Sequence, residues 1–201
     1  MLCVAIQAGG ESRRMGHDKA LMPFLGRPLI QRVIDRLSPI ADELIVTTNN
    51  PEAYRFLGLP LFPDLVQGRG ALGGLYTALS SANHPLVAVV ACDMPFVCAD
   101  LLKAMRTALL SENKDIAIPR PHGGLEPFHA IYRRDTCLPH IQTALEADKW
   151  RVDAWFAKVN ICFFDPPQLL SFDPDVLCFS NVNTPEELAA VEQLALQKEG
   201  G

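Results

Sequence analysis

The chain has 201 residues, 49% hydrophobic and 20% charged, which is enough apolar material for one domain-sized core and gives no compositional sign of disorder. Its formal net charge of −5 argues against a nucleic-acid polymer as the main ligand, since such binders carry a basic face. No apolar run reaches the length of a bilayer span and the N-terminus enters a strand without a basic, apolar and cleavable leader, so no membrane association is expected and the cytoplasm is the expected compartment.

Short β-branched runs alternate with amphipathic stretches, the pattern of a mostly parallel sheet covered by helices. Leu2 to Gln7 reads as the first strand and runs directly into Ala8-Gly9-Gly10-Glu11-Ser12-Arg13-Arg14-Met15-Gly16-His17-Asp18-Lys19. Glycines 9, 10 and 16 let backbone N–H groups approach an anion, and Arg13, Arg14 and Lys19 supply charged donors. An isolated Gly-Gly is ordinarily a surface turn. Three glycines and three cations in one loop after a buried strand point instead to the phosphates of a nucleotide. The loop is not a P-loop, because Lys19 stands three residues after Gly16, and it holds no G-x-G-x-x-G. Kinase-like and dehydrogenase-like readings lose most of their weight.

Pro28 to Leu37 is expected as a helix, Glu43 to Thr48 as the second strand, Pro51 to Leu57 as a short helix and Leu59 to Phe62 as a third strand. Asp64 follows, then a second glycine-rich turn, Gln67-Gly68-Arg69-Gly70-Ala71-Leu72-Gly73-Gly74, with a helix from Tyr76 to Ala82. Pro85 to Cys92 is the strongest strand signal, a continuous apolar run of the kind buried on both faces, and it ends at Asp93-Met94-Pro95. Beyond it the pattern predicts a helix over 99–110, strands over 115–118 and 126–132, helices over 136–146 and 152–157, and a strand over 159–164. Pro166-Pro167 and Phe172-Asp173-Pro174 mark irregular chain. Thr184, Pro185 and Glu187 form a capping box that opens a last helix running to about Leu196.

In open α/β sheets ligands gather outside the carboxyl ends of the strands. Asp93 leaves a buried strand, where a carboxylate is costly unless Mg²⁺ with phosphate oxygens compensates it; the plainer reading is a loop cap. Lys19 could neutralise charge on the phosphoryl oxygens and on departing pyrophosphate. Arg13 and Arg14 are adjacent, so one is expected to face phosphate and the other solvent, with Arg13 the preferred one. Gly73 and Gly74 permit close approach of a base or ribose. The amides of Asn49, Asn50, Asn181 and Asn183 can read base edges or pterin-like rings, although such residues commonly serve turns and caps. Gly124 to Ala130 is a candidate lining for a second substrate, with Glu126 either catalytic or structural. The six cysteines are scattered without C-x-x-C, and the five histidines (His17, His84, His122, His129, His140) lack ligand spacing, so neither set announces a transition metal.

Together, the first loop, Asp93-Met94-Pro95, Glu126-Pro127-Phe128 and Asn181-Val182-Asn183-Thr184-Pro185-Glu186 resemble the molybdenum cofactor guanylyltransferases nearly end to end. The family loop L-A-G-G-x-S-x-R-M-G-x-D-K is matched by Ala8-Gly9-Gly10, Ser12, Arg14-Met15-Gly16 and Asp18-Lys19. Gln7 replaces the leucine, and Ala71 stands where the second glycine loop usually has proline. The resemblance implies a single-domain Rossmann-like α/β nucleotidyltransferase, with a nucleotide-binding half over about 1–98 and an acceptor half over about 99–201. It implies GTP contacts from Gln7, Ala8, Gly9, Gly10, Arg13, Lys19, Asp64, Gly73 and Asp93, with Thr47 or Asn49 from the second strand. Asp93 would hold Mg²⁺, and Lys19, Arg14 and Asp93 would be catalytic. Glu126, His129, Asn181 and Asn183 would lie toward the pterin. The implied reaction transfers GMP from GTP to the terminal phosphate of molybdenum-bearing molybdopterin and releases pyrophosphate; cofactor delivery proteins and acceptor molybdoenzymes are implied partners. The rivals are a molybdenum cofactor cytidylyltransferase, which tends to carry A-A-G at positions 8–10, a sugar-phosphate or isoprenoid-pathway nucleotidyltransferase, and a nucleotide-binding protein without catalysis.

Overall fold

The computed structural model describes residues 1–9, 18–121 and 124–199. Nine short strands and seven α-helices are found among them: β1 (Leu2–Gln7), β2 (Pro23–Phe24), β3 (Arg27–Pro28), α1 (Leu29–Leu37), β4 (Glu43–Thr47), α2 (Pro51–Tyr54), β5 (Leu61–Phe62), α3 (Gly70–Ser81), β6 (Leu86–Ala91), α4 (Ala99–Ser111), β7 (Ile116–Pro119), β8 (His129–Arg133), α5 (Arg134–Glu146), β9 (Ile161–Phe164), α6 (Pro166–Leu169) and α7 (Pro185–Glu199). Seven strands form one sheet in the order β5-β4-β1-β6-β8-β7-β9. All run parallel except β8, which pairs antiparallel with both β6 and β7.

Alternation along the strands divides the interior into two layers. Leu2, Val4 and Ile6 of β1, with Leu86, Ala88 and Val90 of β6, join a core that includes Ile30, Val33 and Leu37 of α1 and Leu101, Leu102 and Met105 of α4. The intervening Cys3, Ala5, Val87 and Val89 meet Leu72, Leu75 and Leu79 of α3 and Ile141 and Leu145 of α5. Burial on both faces is why these strands are continuously apolar. A third cluster joins Phe24 of the β2–β3 hairpin, Phe96, Val182, and Leu188 and Ala195 of α7. The hairpin is also tied to α7 by the Leu25 N–H, which donates to Glu192 Oε1 at 2.5 Å.

Several expected elements shift. The second glycine-rich turn is not all turn: α3 starts at Gly70, six residues before the expected Tyr76, because Leu72 and Leu75 already have helical spacing toward the core. The expected strand over 126–132 begins only at His129, after a turn in which the His129 N–H donates to the Glu126 carbonyl. The expected helix over 152–157 is turn and one 3₁₀ turn, Phe156–Lys158. The β2–β3 hairpin had no sequence signal, each arm being two residues long. The Pro166 stretch is ordered as α6 by an Asp165–Gln168 capping box, with Arg120 holding Asp165 through two hydrogen bonds. The capping box at the start of α7 forms as expected: the Glu187 N–H donates to Thr184 Oγ1 at 3.1 Å, and the Thr184 N–H to Glu187 Oε2 at 3.3 Å.

Candidate active site

The chain leaves β1 for β4 on one side and β6 on the other, so the crevice at the carboxyl ends of these strands is the topological switch point of the sheet. Its floor is knitted by main-chain bonds: Ala8 N–H to the Thr47 carbonyl at 2.9 Å, Cys92 N–H to the Gln7 carbonyl at 3.0 Å, and Ala91 N–H to the Phe128 carbonyl at 2.9 Å. Thr47 is buried, at 3% exposure, so its side chain belongs to the floor.

Asn49 and Asp64 meet at the outer end of β4. Asn49 Nδ2 donates to Asp64 Oδ2 at 2.7 Å, and the Asp64 N–H donates to Asn49 Oδ1 at 3.0 Å. The pair fixes the loop that leads to α3. Gly73 is required by that loop, because a Cβ there would stand 3.0 Å from the Val66 carbonyl oxygen and 2.9 Å from Arg69 Cβ. At Gly9 an added Cβ would meet only ordinary contacts, the nearest being the Thr47 carbonyl oxygen at 3.8 Å. The G-x-G-x-x-G spacing that the first loop lacks does occur at Gly68, Gly70 and Gly73. The strand before it, however, is the two-residue edge strand β5, separated from Gly68 by five residues, which is not the tight strand-to-helix turn of a dinucleotide fingerprint.

Lys19 is held from two directions. Asp18 accepts from the Ala20 N–H at 3.2 Å and from the Tyr54 hydroxyl at 2.7 Å, which anchors the 3₁₀ turn Lys19–Leu21. At its far end Lys19 Nζ donates to Asn183 Oδ1 at 2.9 Å. Asn183 was expected near the acceptor; its amide is on the lysine. Beside it, the Val182 N–H donates to the Asp93 carbonyl at 3.0 Å, so the 181–184 segment spans the loops after β1 and β6. Asn181 is exposed on that segment. Asp18 was not among the expected site residues. An acidic N-cap just before Lys19 was the signal for it.

Asp93 is half-buried, and burial raises its proton affinity above the usual carboxylate range while the nearby Lys19 ammonium draws it back. The Glu126 carboxyl is also pushed up, first by burial and then by the negative charge of Asp93. Two carboxylates short of compensation therefore face the same end of β6, opposite one ammonium. Among the described residues no group of three or more His, Cys, Asp or Glu is arranged to hold a metal ion by itself. One or two carboxylate oxygens completed by substrate phosphates is the donor set that suits Mg²⁺, so the residues fit that ion.

His129 is fully buried, its ring 5.0 Å from that of Phe179, and so lies beneath the crevice. Gly10, Arg13 and Arg14 lie outside the described residues. Next to Glu126 a groove of about 450 Å³ is lined by Leu125, Pro127, Arg151, Val152, Asp153 and Phe156. Arg151 there grips Asp153 through two bonds of 2.9 and 2.7 Å. No described helix is long and apolar enough to cross a membrane.

Comparison with known proteins agrees with this architecture. The MobA-like NTP transferase domain family matches residues 4–159. A protein of Pelotomaculum thermopropionicum named "Probable molybdenum cofactor guanylyltransferase" is 36% identical over 94% of this chain and 91% of its own length. The molybdenum cofactor guanylyltransferase of Desulfosudis oleivorans is 34% identical over 93% of this chain and 92% of its own. Among solved structures, molybdopterin-guanine dinucleotide biosynthesis protein A of Archaeoglobus fulgidus superposes with a TM-score of 0.83 at 25% identity, covering 97% of this chain and 99% of that one. A crevice at the β1/β6 switch point, closed by the 181–184 segment, and relatives matched over nine-tenths of their length have one common meaning: the chain belongs to the molybdenum cofactor guanylyltransferase family, within the MobA-like NTP transferases.

Proposed function

We propose that the chain transfers GMP from GTP to the terminal phosphate of molybdenum-bearing molybdopterin. An oxygen of that phosphate attacks the α-phosphorus of GTP, the bond from the α-phosphorus to the bridging oxygen breaks, and pyrophosphate leaves with the electron pair. The observation that carries the reading is the convergence of Lys19, Asn183, Asp93 and Glu126 on the carboxyl end of β1 and β6. Transfer between two polyanions requires charge neutralisation and alignment more than a protein nucleophile. Lys19, steadied by Asn183, stabilises negative charge on the leaving pyrophosphate.

Asp93 would hold Mg²⁺, with Glu126 available to it. When bound, that ion supplies neutralisation of the phosphate oxygens. Gln7, Ala8, Gly9 and the Asn49–Asp64 pair flank the nucleoside end. Glu126, Asn181 and the groove at Leu125 and Arg151 lie on the acceptor's side. The expected contributions of Arg13 and Arg14 to the phosphates belong to the same reading, as does a cytoplasmic setting, which the six free cysteines favour.

Calorimetry tests the nucleotide half of the proposal. GTP with Mg²⁺ should bind in preference to CTP, and Asp93→Ala should weaken GTP binding tenfold or more, in line with the order of a lost ligand to a charged group. Preference for CTP would move the assignment to cytidylyl transfer.

A further inference from the structure

We propose that the side chain of Gln7 reads the nucleobase, donating a hydrogen bond to the carbonyl oxygen at the purine 6-position. The proposal rests on the GTP reading above and adds to it a contact made by the Gln7 side chain.

Gln7 is the last residue of β1, and alternation continues the Cys3 and Ala5 side, toward α3. Its carboxamide lies against Gly74 of that helix. A Cβ at Gly74 would stand 3.0 Å from Gln7 Nε2, 3.2 Å from Oε1 and 3.3 Å from Cδ, so the bare glycine provides the berth for the flat amide. Within it Nε2 is buried and has no hydrogen-bond partner among the described residues. A buried amide donor left unpaired costs free energy, and native structures retain few of them without a reason. The Gln7 main chain is already committed to β4 and β6, its carbonyl accepting from the Cys92 N–H.

The missing partner is therefore an acceptor that arrives at the end of β1. Phosphate is served elsewhere, by Lys19 beside Asp93. A base carbonyl is the acceptor that remains. Guanine presents O6 next to N1–H, a flat acceptor and donor pair that matches the amide's Nε2–H and Oε1, and hypoxanthine presents the same pair. 2-Aminopurine keeps the guanine amino group and lacks O6.

The experiment measures calorimetric dissociation constants of GTP, ITP and 2-aminopurine riboside triphosphate for the wild-type protein, Gln7→Leu and Gln7→Met. Both variants are expected to weaken GTP and ITP by about tenfold, equivalent to roughly 1.4 kcal/mol, and to leave the 2-aminopurine nucleotide unchanged. Equal loss of all three nucleotides would make Gln7 a packing residue and overturn the proposal, as would no loss of any. Gln7→Met keeps the unbranched shape of glutamine and stands in should Gln7→Leu fail to fold. If the wild type does not bind GTP, the GTP reading falls and this inference with it. If it binds GTP and the variants bind equally well, this inference alone falls.

Discussion

Lys19 sits between two residues that act on it in different ways. Asp18 fixes its backbone by capping the turn and anchoring on Tyr54, while Asn183 takes up one of its three ammonium protons. A neutral amide is the right partner for a lysine meant to meet phosphate, because it aims the charge without cancelling it, as a carboxylate would. Removing the amide should leave the lysine charged and unaimed. Asn183→Ala is expected to lower kcat/KM for GMP transfer by roughly tenfold to a hundredfold, the range for a hydrogen bond to a charged group. The melting temperature should stay close to wild type, since Asn183 is exposed and Lys19 is only half-buried. Steady-state kinetics with a parallel melt checks this, and an unchanged kcat/KM would show that Asn183 does not position the lysine. Both residues stand out in the sequence, but for different substrates. Their contact spans 164 positions, and no local pattern carries such a pairing.

At the scale of elements, β8 governs the acceptor side. As the one antiparallel strand of the main sheet it delivers Glu126 to the same end of the sheet as Asp93, and it buries His129 beneath. Phe179 packs on the ring, and the Cys178 backbone and the Asp173 carboxylate are its polar neighbours, both favouring the protonated form less strongly than burial opposes it. Burial holds its pKa down at about 4, against 6.5 for the free side chain. Between those values the unfolded chain binds the extra proton, so the stability this histidine contributes is full above about pH 6.5 and is lost as the pH falls toward 4. In urea titrations His129→Leu should lose less stability than wild type between pH 7 and 4.5, by about 2 kcal/mol. Parallel pH profiles would contradict the buried neutral imidazole. The sequence signal for β8 was weak because the chain turns at Glu126 and enters the strand only at His129, so alternation spans five residues. The late-placed start of α3 has a similar cause: glycines suggest a turn by composition, yet Leu72 and Leu75 dock on the sheet and tertiary packing overrides propensity.

For the whole molecule, the alternation of apolar runs and helical stretches was enough to foresee a mostly parallel α/β domain, because β1 and β6 are buried on both faces and carry a polar residue only at Gln7, the last position of β1. The β2–β3 hairpin and its clasp by Glu192 of α7 were not foreseeable, since two-residue arms carry no period and the clasp joins distant parts of the chain. The candidate site was legible as a set of loops at strand ends. What stayed hidden was which loops touch: Asn49 with Asp64, Lys19 with Asn183, and the 181–184 segment with Asp93. These contacts gather Lys19, Asp93 and Asp64 at one end of the sheet in a chain that is acidic overall.

The most direct test of the central claim is product formation. The protein would be incubated with GTP, Mg²⁺ and molybdenum-bearing molybdopterin, with pyrophosphate and the guanine dinucleotide quantified together. Stoichiometric appearance of both, absent with CTP and reduced at least a hundredfold in Asp93→Asn, the order expected for loss of a transition-state charge stabiliser, is the predicted result. No dinucleotide from GTP, or a faster reaction with CTP, would contradict guanylyl transfer.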